Sequence, residues 1–265
     1  MTDLYKASRA AEQAAYAAGT HLQASRSRLA AVLVTHQAPG DVVSAIDRES
    51  RALIRDVVLR HFPEHGFVGD AGDAGRSSHL QQGRPHWVVD PLDGTANYLR
   101  GYPQYAVSIA LVEDDEPLLG VIYDPYRNEF FGAIRDCGAV LNGQALRCAA
   151  PRPPLNALAA TVFPKPSSPS MATYVTELGH VLRGLGGVRR SGSMALELAY
   201  LAAGRIDALW AHDVRARDAA AGIVLLRESG ALIHARDGRP LLASQSLLAC
   251  TPALFEPFLS LLAER

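Results

Sequence analysis

Lysine is almost missing from this chain. Lys6 and Lys165 are the only two, and arginine carries nearly all the positive charge, a bias with no functional reading of its own. Cysteine is scarce and unpatterned. Cys137, Cys148 and Cys250 suit buried free thiols in a reducing compartment better than any metal or redox role. The nine histidines show no metal-ligand spacing. No apolar run is long enough to span a bilayer and no signal-peptide pattern opens the chain, so the expectation is a cytoplasmic protein without a membrane partner. An excess of charge is missing too: 26 basic residues against 27 acidic ones leave a formal net charge of −1, which argues against nucleic acid as the main partner.

What is there is an ordinary apolar and charged composition over 265 residues, enough for one large domain or two closely packed halves. An Ala-rich periodic segment predicts a long amphipathic helix from Leu4 to about Arg28, and a second helix is expected from Arg48 to about His61. The Gly-rich polar stretch from Asp70 to Arg76 reads as a loop. Strands are expected at Ala106 to Val112, Leu118 to Tyr123 and Glu129 to Ile134, with Asp114-Asp115-Glu116-Pro117 as the turn between the first two. The prolines from Pro151 to Pro154 divide an N-terminal half, residues 1–150, from a C-terminal α/β half, residues 151–265, within one compact unit. A helix from about Pro252 to Leu262 closes the chain.

The most informative stretch is Trp87-Val88-Val89-Asp90-Pro91-Leu92-Asp93-Gly94-Thr95-Ala96-Asn97. Its apolar run reads as a buried strand that Pro91 should stop at Asp90. Gly94 permits a tight turn, and Thr95 is a good N-cap for a following helix. Two carboxylates and a freed carbonyl at a strand end suit a hard, oxygen-loving cation such as Mg²⁺. A helix N-terminus beside it offers N–H groups to an anion, most naturally phosphate. Cation and phosphate sites so close together point to a phosphatase; the bland alternative is an Asp-Pro/Asp-Gly turn.

Asp90-Pro91-Leu92-Asp93-Gly94-Thr95-Ala96-Asn97-Tyr98 resembles the signature of the inositol monophosphatase family, Mg²⁺-dependent, lithium-sensitive phosphomonoesterases. Arg217-Asp218-Ala219-Ala220-Ala221-Gly222 with Glu228-Ser229-Gly230-Ala231, the run from Arg190 to Ala208, and Asp41-Val42-Val43-Ser44-Ala45-Ile46-Asp47 resemble further segments of that family, in order along most of the chain. Ser193 should cap the helix of the second run and Gly204 should end it. The resemblance implies a layered α/β fold, αβαβα, with the site between the halves, and a homodimer. It implies two or three Mg²⁺ ions held by Asp70, Asp90, the Leu92 carbonyl, Asp93 and Asp218. Read locally, Asp218 is a helix N-cap or first-turn acid, and Asp47 an N-cap. By resemblance, Asp47 hydrogen-bonds and orients Thr95, Thr95 and the first cation activate the attacking water, and Asp70 serves catalysis by completing the site of that cation. Asp93, Gly94, Thr95, Ser193, Met194, Ala211 and His212 are the expected substrate contacts.

Several positions depart from the family pattern. Gly69-Asp70-Ala71 stands where many members have Gly-Glu-Glu; Asp70 is one methylene shorter, and Asp73 is the alternative ligand if the loop is shifted. His36 replaces a frequent Lys and reads equally as a solvated loop histidine. Ala211 occupies, counting back from Asp218, the place of a Glu that binds an inositol hydroxyl, a task left to His212 or Asp213. Arg217 replaces the usual Trp, as a surface change or as an extra contact to phosphate or carboxylate. The expected activity is hydrolysis of a small polyol or sugar phosphomonoester such as inositol 1-phosphate. Phosphatases for 3′-phosphoadenosine 5′-phosphate, histidinol phosphate or fructose 1,6-bisphosphate are alternatives within the superfamily. A regulatory protein binding RNA or the transcription machinery, with Arg183, Arg189 and Arg190 as a local patch, is the alternative of another class, and a weakened phosphatase is a third.

Overall fold

The computed structural model describes residues 2–26, 34–38, 41–69 and 83–263, with the backbone alone for 34–38 and 41–44. Helix α1 (Leu4–Ser25) leads through a hairpin of β1 (Val34–Ala38) and β2 (Asp41–Ser44) to helix α2 (Ala45–His61). Next come β3 (Gly66–Val68), β4 (His86–Asp93), the short helix α3 (Thr95–Leu99), β5 (Ala106–Glu113) and β6 (Glu116–Asp124). With β7 (Glu129–Ile134), β8 (Gly138–Leu141) and β9 (Gln144–Leu146) these strands form a seven-stranded sheet in sequence order, antiparallel except for β3 beside β4. The rest of the chain alternates: β10 (Leu158–Val162), α4 (Met171–Gly184), β11 (Gly187–Arg189), α5 (Met194–Ala202), β12 (Ala208–His212) and α6 (Ala216–Ser229). Strands β13 (Leu232–Ala235) and β14 (Ser246–Cys250) complete a five-stranded sheet of order β11-β10-β12-β14-β13, and α7 (Phe255–Ala263) follows.

The layers follow from which side chains each strand points to which face. In β5, Val107, Ile109 and Leu111 pack with the alanine stripe of α1 (Ala7, Ala11, Ala14, Ala18) and with Ile54 and Val58 of α2. Ala106, Ala110 and Val112 point the other way, to α5 and α6. Strand β12 divides in the same manner. Leu209 and Ala211 join that central cluster, while Ala208 and Trp210 meet Tyr174 of α4 and Phe258 of α7. The result is five layers, α1α2, sheet, α5α6, sheet, α4α7, the expected αβαβα arrangement. A strand covered on both faces has to be apolar throughout, which is why β5 and β12 read as unbroken hydrophobic runs rather than alternating ones. Helices α5 and α6, sandwiched between two sheets, are buried nearly all round for the same reason.

Small residues bring α6 close to the first sheet. A Cβ on Gly120 of β6 would lie 2.9 Å from the Cα of Ala221, so the helix carrying Asp218 rests directly on the strand backbone.

Local details correct several boundaries. Asp114 and Asp115 alone make the β5–β6 turn, both at positive φ as a two-residue hairpin turn requires, and Pro117 lies inside β6 beside a register shift. Helix α2 begins at Ala45 rather than Arg48, and Pro252–Leu254 form a 3-10 turn before α7. All three cysteines are free thiols, but Cys137 is exposed and Cys148 half-buried, against the expectation of burial. Cys250 is buried, which pushes its thiol up to about 12. Among the described residues no helix is long and apolar enough to cross a membrane.

Candidate active site

Strand β4 does not stop at Asp90. It continues through Pro91 to Asp93, pairing Asp90 with Ser108 and then Asp93 with Ala106 across an irregularity that absorbs the extra residue. Proline lacks the N–H that a ladder needs, and a bulge is where a sheet tolerates that loss. The bulge delivers Asp90 and Asp93 to one strand end, with the Pro91 carbonyl accepting from the buried Ser50 hydroxyl of α2 at 3.2 Å. Gly94 then turns the chain at φ 83°, and a Cβ there would meet the Gln104 carbonyl oxygen at 2.7 Å. Gly94, not Thr95, is the N-cap of α3. The Thr95 hydroxyl instead donates to the Leu92 carbonyl at 2.8 Å.

The second half of the chain meets this strand end through α5 and α6. Asp93 Oδ2 accepts from the Ser193 hydroxyl at 2.5 Å and from the Ala195 N–H at 2.9 Å. Ser193 also caps α5 as expected, accepting from the Leu196 N–H. Asn97 of α3 donates to the carbonyls of Gln104 and Ser191, at 2.7 and 2.8 Å, and the Ser191 N–H is held by the buried Glu197 at 2.8 Å. Asp218 sits in the first turn of α6, its carboxylate engaged by Arg215.

Burial and mutual repulsion dominate the electrostatics. Asp90 is pushed up to about 6, by burial first, with Asp218 and Asp47 adding to the rise and Arg217 and Arg215 opposing it. Asp93 is pushed up to about 7, again by burial first and then by Asp90, against the hydrogen bonds from Ser193 and Ala195. Asp47 is raised by burial, which outweighs the charge and hydrogen bond of Arg51. Four carboxylates therefore share one region with Arg51, Arg215 and Arg217 among them.

Some expected roles change. The single Thr95 proton is directed at Leu92, so it is not available to Asp47, whose Oδ2 accepts from Arg51 at 2.6 Å, one helical turn away. Ala211 is fully buried between Val162 and Leu247 and has no surface to offer a ligand. His212 does not replace it freely: its Nε2 lies 2.7 Å from Glu177 and its Nδ1 3.3 Å from the Ser246 hydroxyl. Met194 is buried and Asp213 turns the chain at φ 58°. Asp70, Ala71, Asp73 and the side chain of His36 lie outside the described residues. The sequence reading missed Arg215 and Arg51 as carboxylate partners and Asn97 and Glu197 as cross-links. The i,i+3 and i,i+4 spacings of Arg215 to Asp218 and Asp47 to Arg51 were the available signals.

The sequence model of the inositol monophosphatase family matches residues 3–264. The chain belongs to the inositol monophosphatase family. It is 38% identical over 218 residues to an inositol-1-monophosphatase of Rhizobium meliloti, covering 82% of this chain and 81% of that protein. It is 40% identical over 222 residues to the Nus factor SuhB of Xylella fastidiosa, covering 83% and 78%. Among solved structures, the extragenic suppressor protein suhB of Bartonella henselae superimposes with a TM-score of 0.89 at 33% identity, over 97% of this chain and 98% of that one. An inositol monophosphatase from Anabaena gives 0.81 at 31% identity, over 98% and 96%.

The donor chemistry fits the hard cation such a family implies: the buried Asp90 and the half-buried Asp93 bring carboxylate oxygens to one strand end, where the charge of Asp90 adds to the rise at Asp93. The arrangement fits less well. Among the described residues no three His, Cys, Asp or Glu side chains are gathered as a metal ion requires, while Asp93 is turned to Ser193 and Asp218 to Arg215.

Proposed function

We propose that the protein is a Mg²⁺-dependent phosphomonoesterase acting on a small polyol or sugar phosphate, with inositol 1-phosphate as the first candidate. The observation that carries this reading is the pair at one strand end, Asp90 buried and Asp93 half-buried, followed at once by the left-handed Gly94 turn. Relatives named inositol-1-monophosphatase support it.

Asp90, Asp93, Asp218, the Leu92 carbonyl and Asp70 would hold the ions. Bound Mg²⁺ would supply Lewis acidity, offsetting the carboxylate charge and polarising the phosphate and the attacking water. The chain's own groups do the orienting. Thr95, anchored on the Leu92 carbonyl, would accept a hydrogen bond from the water and hold it in line with phosphorus. The N–H groups of Gly94 and Thr95 would hold phosphate oxygens as charge shifts during transfer. Ser193 and the Ala195 N–H fix the direction of the Asp93 carboxylate. Water adds to phosphorus, the ester P–O bond breaks, and the alcohol leaves with a proton. Ala211 is buried within β12 and His212 is engaged by Glu177 and Ser246, so the alcohol is the open part of the substrate.

Phosphate release tests this directly, with inositol 1-phosphate, 3′-phosphoadenosine 5′-phosphate, histidinol phosphate and fructose 1,6-bisphosphate, each with Mg²⁺ and with EDTA. Turnover that EDTA abolishes is expected, concentrated on one ester. No turnover on any ester overturns the reading. It would favour a regulatory protein binding RNA or the transcription machinery, which relatives named Nus factor SuhB and the exposed Arg189 and Arg190 support.

A further inference from the structure

Asp218 does not present an open carboxylate. Its Oδ2 accepts from Arg215 Nε at 2.9 Å and from the Arg215 backbone N–H at 3.2 Å. Its Oδ1 accepts from Arg215 Nη2 at 3.1 Å, and Arg217 Nε lies 3.8 Å from the same oxygen. Two parallel donors to two carboxylate oxygens make the strong, planar pairing that arginine forms best.

Helix capping alone does not call for this contact. Arg215 is the N-cap residue of α6, yet its side chain has no acceptor to give the helix, and the capping bond is made by its backbone N–H to Asp218. The guanidinium is added on top. It also opposes the negative charge on Asp90, as Arg217 does. Arg215 thus stands where the positive charge of a divalent ion is otherwise expected, on a side chain one-third exposed.

We propose that Arg215 is the internal counter-ion of the cation-free site: it holds Asp218 while no divalent ion is bound and must release it before the second cation binds, so that Arg215 sets the affinity for that cation. The proposal rests on the reading of Asp218 as a cation ligand. A divalent ion on the same two oxygens would lie against the guanidinium, like charge against like, so occupancy by one disfavours the other.

The test is Mn²⁺ binding, read by loss of the free-ion EPR signal, in the wild type, R215M and D218N, together with thermal unfolding in EDTA and in Mg²⁺. R215M keeps an unbranched side chain over the aliphatic stem of the arginine while removing its charge and its N–H donors. The expected result is that R215M tightens the Asp218-dependent class of Mn²⁺ sites roughly threefold to tenfold, the scale of one charge-assisted contact. It should also lower Tm in EDTA and recover in Mg²⁺, while D218N removes that class of sites. Unchanged or weaker Mn²⁺ binding by R215M overturns the proposal, as does an equal loss of Tm with and without Mg²⁺, the mark of a merely structural role. Absence of Mn²⁺ binding by both wild type and R215M overturns it together with the metal-dependent reading. Tightened binding without phosphate release from any ester supports the proposal and overturns the phosphomonoesterase reading alone.

Discussion

Ser193 donates its hydroxyl to Asp93 across 2.5 Å, joining positions a hundred residues apart. The same oxygen accepts the Leu196 N–H and so caps α5. One side chain therefore fixes both the start of a helix in the second half and the direction of a carboxylate at the end of β4.

Removing that hydroxyl affects both ends. Loss of a hydrogen bond to a charged group and of an N-cap together predict that Ser193→Ala destabilises the fold by roughly 2–4 kcal/mol, and that Ser193→Thr recovers most of it. Urea unfolding at pH 8 is the measurement, because Asp93, raised to about 7, is then mostly ionised. A Ser193→Ala loss no larger than that of an ordinary helix cap would mean that the Asp93 bond adds nothing to stability.

Gly120 tests the contact beneath α6. A Cβ there runs into the backbone of Ala221, which cannot move aside as a flexible side chain would. Gly120→Ala is expected to destabilise by about 1–3 kcal/mol or more through overpacking, although alanine is the better strand residue on propensity. Because Asp218 lies on the same helix, phosphate release should fall as well. An alanine variant as stable as the wild type would refute the close packing of α6 on β6.

The layered fold was legible because both sheets are covered on both faces. Such strands announce themselves as runs like Ala106 to Val112, and a pair of aspartates at positive φ marks the turn after them. The position of the carboxylates was legible as well, since Asp90, Asp93 and Gly94 are local in sequence. What local reasoning misjudged was set by pairing at a distance. Pro91 reads as a strand stop, but β5 continues alongside and resumes pairing at Asp93 beyond a bulge. Thr95 reads as an N-cap, but the left-handed Gly94 takes that place and frees the hydroxyl for Leu92. Ala211 reads as a ligand-facing position by counting from Asp218, yet β12 has a sheet neighbour on either side and packed layers above and below.

Acid should weaken the second half of the chain at Glu177. Burial alone would raise its carboxyl, but hydrogen bonds from His212 and Arg236, with their charge, hold it below its ordinary value of 4.5. A folded-state value below the unfolded one means that the pairing stabilises at pH above about 4.5 and that this stability is lost as pH falls through the folded-state value. Glu177→Gln should therefore lower Tm at neutral pH and flatten its decline below pH 4.5, where the wild type falls more steeply. Parallel wild-type and variant curves across that window would show that Glu177 is not the titrating group.

Two left-handed glycines separate backbone strain from crowding at the site. Gly94 and Gly101 have similar torsions, φ 83° and 73°, so an alanine at either pays the same left-handed penalty of about 1–2 kcal/mol. Their surroundings differ. A Cβ on Gly94 meets the Gln104 carbonyl oxygen at 2.7 Å and Tyr105 at 3.2 Å, whereas one on Gly101 meets only a guanidinium nitrogen of Arg26 at 3.9 Å. Gly101→Ala should thus cost the torsional term alone. Gly94→Ala should cost a further 1–3 kcal/mol or so of overpacking, because the obstacle is backbone. That extra strain falls between Asp93 and Thr95, so Gly94→Ala should also reduce phosphate release by far more than Gly101→Ala at a temperature where both remain folded. Equal stability losses in urea would remove the crowding argument. Equal phosphate release would separate the Gly94 turn from the chemistry proposed for its two neighbours.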